Sequence, residues 1–151
     1  MKALFIVFIS GVILTGCNNS STTASTTHPE PKTREDSLFQ DVMDGHDFTM
    51  AKMNRIPVLQ KRVQAAIDSI NKLPQKVKQG SLVYKTRLDS LSAELRFADS
   101  SMNKWMEDFN YDTAKNGSNR IAYLEGEKKK IGAVKDALVN ALQKSDSLLK
   151  K

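Results

Sequence analysis

Apolar residues first occur as one short block, from Ala3 to Leu14, preceded by the single cation Lys2 and followed by small residues. A bilayer core takes about 20 apolar residues, so this block is too short to span as a stable helix, and its build is that of a secretory signal. From Asn18 to Lys32 the chain turns to Ser, Thr, Asn and Pro with almost nothing apolar. Such a composition does not bury enough surface to order itself and reads as a tether, with His28 an exposed part of the spacer.

Beyond the tether, Phe39, Met43, His46, Met50 and Met53 recur at steps of three and four, which places them on one helix face. The stripe resumes at Ile56, Leu59, Val63, Ala66, Ile70 and Leu73, slipped by one step. Pro57 lies at the slip, where its ring removes a backbone hydrogen bond near Met53. The pattern predicts a helix from about Ser37 to Leu73, capped by Ser37 and kinked near Pro57. Gly45 weakens its first half by about 1 kcal/mol relative to Ala. After the breakers Pro74 and Gly80, the residues Tyr84, Leu88, Leu91, Leu95, Ala98, Met102, Trp105 and Phe109 alternate steps of four and three, the spacing of a helix-packing seam. Asn110 to Asn119 reads as a loop. A third helix, from about Asn119 to Leu149, offers Ile121, Leu124, Ile131, Val134, Leu138, Ala141, Leu142 and Leu149.

No strand pattern competes with these, so the expected fold is all-α: an antiparallel three-helix bundle of long amphipathic helices, each some 45 to 55 Å long at about 1.5 Å per residue. The alternative is an extended coiled coil closed by dimerisation, since the stripes are narrow; a monomer is expected. The expected organisation is a signal peptide over residues 1–16, an acylated cysteine and tether over 17–34, and a helical domain over 35–151, with room for one core.

The apolar block ends in Leu14-Thr15-Gly16-Cys17, which resembles the lipobox of bacterial lipoproteins. There, cleavage precedes a cysteine whose thiol takes a diacylglycerol and whose amine is then acylated. Cys17 is the only cysteine among the 151 residues and has no disulfide partner. Several acyl chains at about 0.8 kcal/mol per CH₂ anchor a protein stably, so the expected membrane contact runs through the lipid on Cys17. In lipoproteins sent to the cell surface of some Gram-negative groups, acidic residues follow the cysteine. Asn18-Asn19-Ser20-Ser21 has none, which favours the outer membrane facing the periplasm.

Charge narrows the options further. The net charge of +6 falls to +5 without residues 1–16, which carry only Lys2. Nucleic-acid binding needs cations gathered on one face, but the longest run, Lys128-Lys129-Lys130, sits among Glu125, Glu127 and Asp136 and reads as a solvated face. No nucleic-acid partner is expected. Nor is catalysis: the domain has one histidine, His46, no cysteine and no Gly-rich phosphate loop.

One cluster carries candidate chemistry. Folding the first two helices together about their turn brings Met102, Trp105 and Met106 beside Met43, His46, Met50 and Met53, with Ile121, Ala122 and Glu125 of the third helix entering the same end. Thioether and imidazole are soft ligands suited to Cu(I), and an aromatic face can sit over a cation. The ingredients resemble those of periplasmic copper chaperones, which are β-barrels, so the likeness is of ligands and not of fold. The competing reading is that methionine fills irregular gaps in a core, with no cofactor bound and Asp47 or Asp108 orienting His46. The terminal Lys150-Lys151 is similar, by one residue, to the C-terminal lysine that joins the helical murein lipoprotein to peptidoglycan. An open amphipathic seam also suits an envelope protein partner.

From about Asp41 onward, Met43, His46-Asp47, Met50, Lys52-Met53, Met102, Trp105-Met106, Phe109, Tyr123-Leu124-Glu125 and Glu127-Lys128-Lys129-Lys130-Ile131 resemble a group of small Bacteroidetes lipoproteins often labelled viral A-type inclusion protein. The resemblance spans most of the domain. It implies a Gram-negative envelope and a helical domain, and it implies no activity. Gly45 and Pro57 depart from the family pattern, where ordinary helix formers are expected.

Overall fold

The computed structural model of the chain describes residues 33–113 and 117–150. They form five helices: α1 (Arg34–Met53), α2 (Arg55–Asn71), α3 (Gln75–Gly80), α4 (Leu82–Asp108) and α5 (Gly117–Leu148), with a 3₁₀ turn at Tyr111–Thr113. The fold is all-α, and there is no strand among the described residues. No helix among them is long and apolar enough to cross a membrane.

Helix α1 starts earlier than Ser37 because Thr33 caps it. Thr33 is extended, and its Oγ1 accepts from the Asp36 N–H at 3.1 Å, while Glu35 and Asp36 complement the positive end of the helix. Ser37 lies inside the first turn and donates its hydroxyl to the Thr33 carbonyl at 3.1 Å. The expected break near Pro57 falls at Asn54, a single residue between α1 and α2 that keeps right-handed helical angles. Pro57 thereby sits in the first turn of α2, where its missing N–H deprives the helix of nothing. The turn after Pro74 contains the short helix α3, and Ser81 separates it from α4.

Helix α1 packs on α5, α2 on α4, and α4 on α5. The links from α1 and α2 to α5 keep a nearly constant sequence separation: 91 residues for Arg34 to Glu125, 87 for Asp41 to Lys128, 91 for Arg55 to Asp146 and 87 for Arg62 to Leu149. These segments therefore run in the same direction. Between α4 and α5 the separation shrinks, from 64 for Tyr84 to Leu148 to 50 for Glu94 to Lys144, so those two run in opposite directions.

Two apolar clusters fill the interior. One, toward the α2–α4 turn, gathers Ile56, Leu59, Val63, Ile67, Ile70, Leu88, Leu91, Leu95, Leu138 and Leu142 with the small residues Ala98 and Ala141. The other, toward the α4–α5 loop, gathers Val42, Met102, Trp105, Leu124, Ile131 and Val134. Met53 packs against both.

The packed line on α1 differs from the stripe of large residues. It runs through Val42, Gly45 and Thr49 to Met53, then continues through Ile56, Leu59, Val63, Ile67 and Ile70 on α2 without a slip. Close approach is the reason. A Cβ on Gly45 would lie 3.1 Å from Ile131 Cγ2, so the absent side chain lets α5 come near, and the fully buried Thr49 returns its hydroxyl to the Gly45 carbonyl at 2.7 Å. Small residues make the contact, and the large ones beside them are left at its edges. In α5 the buried seam likewise includes two polar residues, Glu127 between Leu124 and Ile131 and Ser145 between Ala141 and Leu149.

Candidate functional site

Leu14, Thr15, Gly16 and Cys17 lie outside the described residues. The six soft donors lie within them, in four different environments. Met102 is fully buried in the loop-end cluster, and Met53 is half-buried between the two clusters. Met43 and His46 are half-buried. Met50 and Met106 are 40% and 39% exposed. Among the described residues, no three His, Cys, Asp or Glu side chains converge as a metal-holding group.

His46 is fixed from two sides. Its Nδ1 donates to Asp47 Oδ1 at 2.8 Å, and its ring lies 5.7 Å from that of Trp105. Asp108, the other acid considered for that role, pairs with Lys104 at 2.9 Å instead. The proximity of His46 to Trp105 agrees with the hairpin folding inferred from the turn.

Trp105 begins an aromatic row. Its ring stacks on Phe109 at 4.8 Å, and Phe109 stacks on Tyr123 at 6.2 Å. The Tyr123 hydroxyl accepts from the Asn110 N–H at 2.9 Å, so α5 holds the chain as it leaves α4. Beside the row, Tyr111 packs on Phe39 at 4.6 Å, and the Arg120 guanidinium lies 3.6 Å above the Tyr111 ring. Arg120 also reaches Glu35 at 2.7 Å, tying the start of α5 to the start of α1. Tyr111 fell in a segment read as loop, and Tyr123 sits off the apolar stripe of the third helix. The i,i+4 spacing of Trp105 and Phe109 was the one signal of the row.

The polar groups at this end are partly unsatisfied. Glu127 is 2% exposed; its Oε1 accepts from Lys130 Nζ at 2.7 Å, while Oε2 is buried without a partner among the described residues, as is Trp105 Nε1. The hydrogen bond to Glu127 raises the Lys130 pKa against the effect of burial, with the charges of Glu127, Tyr123 and Asp108 adding to it. An open recess of about 200 Å³ lies over Trp105, between Ser101, Lys104 and Asp108 of α4 and Lys130 and Val134 of α5. Farther along the same pair of helices, partial burial would raise the Glu94 carboxyl. Hydrogen bonds from Lys144 and Ser90, with the Lys144 charge, outweigh it and hold Glu94 below its usual range.

No protein-family model matches the chain, and no curated protein or solved structure is similar enough to carry an inference. Function rests on the residues. At the opposite end, an open groove of about 470 Å³ runs between Ala66 and Ile70 of α2, Tyr84 of α4, and Leu148 and Leu149. Its lining is mostly apolar, with Arg62, Ser69, Tyr84 and Lys150 as the polar residues; the Ser69 hydroxyl donates to the Ala65 carbonyl at 2.8 Å and the Tyr84 hydroxyl to the Leu148 carbonyl at 3.1 Å.

Proposed function

We propose that the chain is a lipid-anchored lipoprotein of a bacterial cell envelope, placed at the outer membrane and facing the periplasm, whose helical domain binds or spaces another envelope component without catalysis. The observation that carries this reading is Leu14-Thr15-Gly16-Cys17 directly after a short apolar block. The domain acts as an antiparallel three-helix bundle, with α1 and α2 as one leg, α4 as the second and α5 as the third. The matching separations between α1–α2 and α5, and the opposite sense of α4, support that arrangement. The resemblance to Bacteroidetes lipoproteins agrees with the address. Radiolabelled palmitate supplied to cells expressing the full chain is expected to label it, and Cys17→Ser is expected to abolish the label. A Cys17→Ser chain that still labels overturns the anchor.

A second reading is favoured by one observation: Met43, His46 and Met50 stand on successive turns of α1, and none is fully buried. Neighbours at these spacings lie about 5–6 Å apart at Cβ, close enough for two thioethers and an imidazole to share a soft cation such as Cu(I). Met53 follows them one step on in α1, whereas Met102 serves the core. In a Cu(I) competition titration, this reading expects one-to-one binding lost in His46→Ala/Met50→Leu. Equal affinity of the parent and the variant for Cu(I) rejects it.

A further inference from the structure

From Ser69 to Leu88 the chain carries Lys72, Lys76, Lys78, Lys85 and Arg87 and not one Asp or Glu. This is the α2–α4 turn, at the end of the domain away from the aromatic row. Lys85 pairs with Asp89 at 2.9 Å, while Lys72, Lys76, Lys78 and Arg87 have no ion-pair partner among the described residues. At the same turn, Val77, Leu82 and Val83 are 54%, 51% and 68% exposed. Elsewhere in the domain many cations pair with acids, as in Arg34 with Glu125, Asp41 with Lys128 and Glu94 with Lys144, while Lys52, Lys61, Arg96, Lys129 and Lys135 have no ion pair among the described residues. Between Lys72 and Arg87 the turn gathers four cations without such a partner and three exposed aliphatic side chains, against Lys61 beside the single exposed aliphatic Val58 on α2.

We infer that this turn is a docking surface for an anionic lipid bilayer, separate from the anchor at Cys17. Charge complementarity selects an anionic occupant. The apolar residues select among anionic occupants, because aliphatic side chains gain nothing from a phosphate backbone but gain from entering the boundary between headgroups and acyl chains. A stable protein interface buries about 1,200–2,000 Å². A bilayer needs no such area, since each lysine near an anionic surface adds its own attraction and the apolar tip adds to the sum. Lysine suits the task, because its long stem lets the ammonium reach headgroups while the methylenes follow the apolar tip inward.

The test uses the full chain carrying Cys17→Ser, so that no acyl group contributes, and sedimentation with vesicles of phosphatidylcholine alone or with about one-third phosphatidylglycerol, at about 0.1 M salt. The N-terminal apolar block is common to every sample, so the comparison is between variants. The parent is expected to partition at least about tenfold more strongly into the anionic vesicles than K72Q/K76Q/K78Q. L82S/V83S is expected to fall several-fold while keeping its preference for anionic lipid. All five positions lie at the surface, and far-ultraviolet circular dichroism is expected to show the helical content of the parent in both variants. Equal partition of the parent and the lysine variant overturns the proposal. So does unchanged binding of L82S/V83S, which would leave bare charge attraction of the kind an acidic protein also satisfies. Palmitate labelling is a separate readout, so failure of the anchor and failure of this surface are distinguishable.

Discussion

Glu127 occupies a core position of α5 and illustrates what a single residue does there. Its spacing is that of the seam, three after Leu124 and four before Ile131, yet a carboxylate at that step looks like a surface residue in the sequence. The fold buries it to 2%, satisfies Oε1 with Lys130 and leaves Oε2 without a partner among the described residues. Replacing a buried ionic group by an apolar one of similar size is often stabilising by about 1–4 kcal/mol, because the desolvation cost disappears. Glu127→Leu is therefore expected to raise the midpoint of thermal unfolding, and Glu127→Ala, which leaves a cavity, to gain less or to lower it. A Leu variant that melts lower than the parent shows that the carboxylate contributes net stability. His46 shows the complementary case: its place beside Trp105 was legible from the hairpin turn, but its choice of Asp47 over Asp108 was not, because Asp108 is taken by Lys104.

At the level of elements, helix boundaries followed local chemistry and helix faces followed neighbours. Thr33 rather than Ser37 begins α1, since only the residue outside the first turn can turn its oxygen back on a free N–H. The face that α1 buries was not legible from its large residues, because the contact with α5 is made through Gly45. This explains a glycine that otherwise only weakens a helix. Gly45→Ala gains about 1 kcal/mol of helix propensity but sets a methyl group 3.1 Å from Ile131 Cγ2. Removing both γ carbons of Ile131 relieves that contact. Gly45→Ala is thus expected to be more favourable, by about 1 kcal/mol, in an Ile131→Ala background than in the parent, as read from urea unfolding. Gly45→Leu in the parent is expected to destabilise by about 1–3 kcal/mol through overpacking. Identical effects of Gly45→Ala in both backgrounds separate this glycine from the packing of α5.

In the whole molecule the two apolar clusters meet at Met53 and share α4 and α5, so they are expected to unfold together. Trp105 reports on one cluster, and Leu91, fully buried in the other, tests the link. Leu91→Ala is expected to lose about 2–5 kcal/mol and to shift the fluorescence and circular-dichroism transitions by the same amount. A fluorescence transition that stays in place while the other moves shows the two ends to be independent. The helical class, the seam of α4 from Leu88 to Trp105, and the run of cations without acids around the α2–α4 turn are all written locally. Each depends on spacing or charge within a few turns of one segment. The buried line on α1, the core position of Glu127 and the stacking of Phe109 on Tyr123 depend on residues of another helix, as Gly45 depends on Ile131 far along the chain. Periodicity shows that a helix has an apolar side. How closely another helix approaches, and at which residue, was settled only when the side chains met.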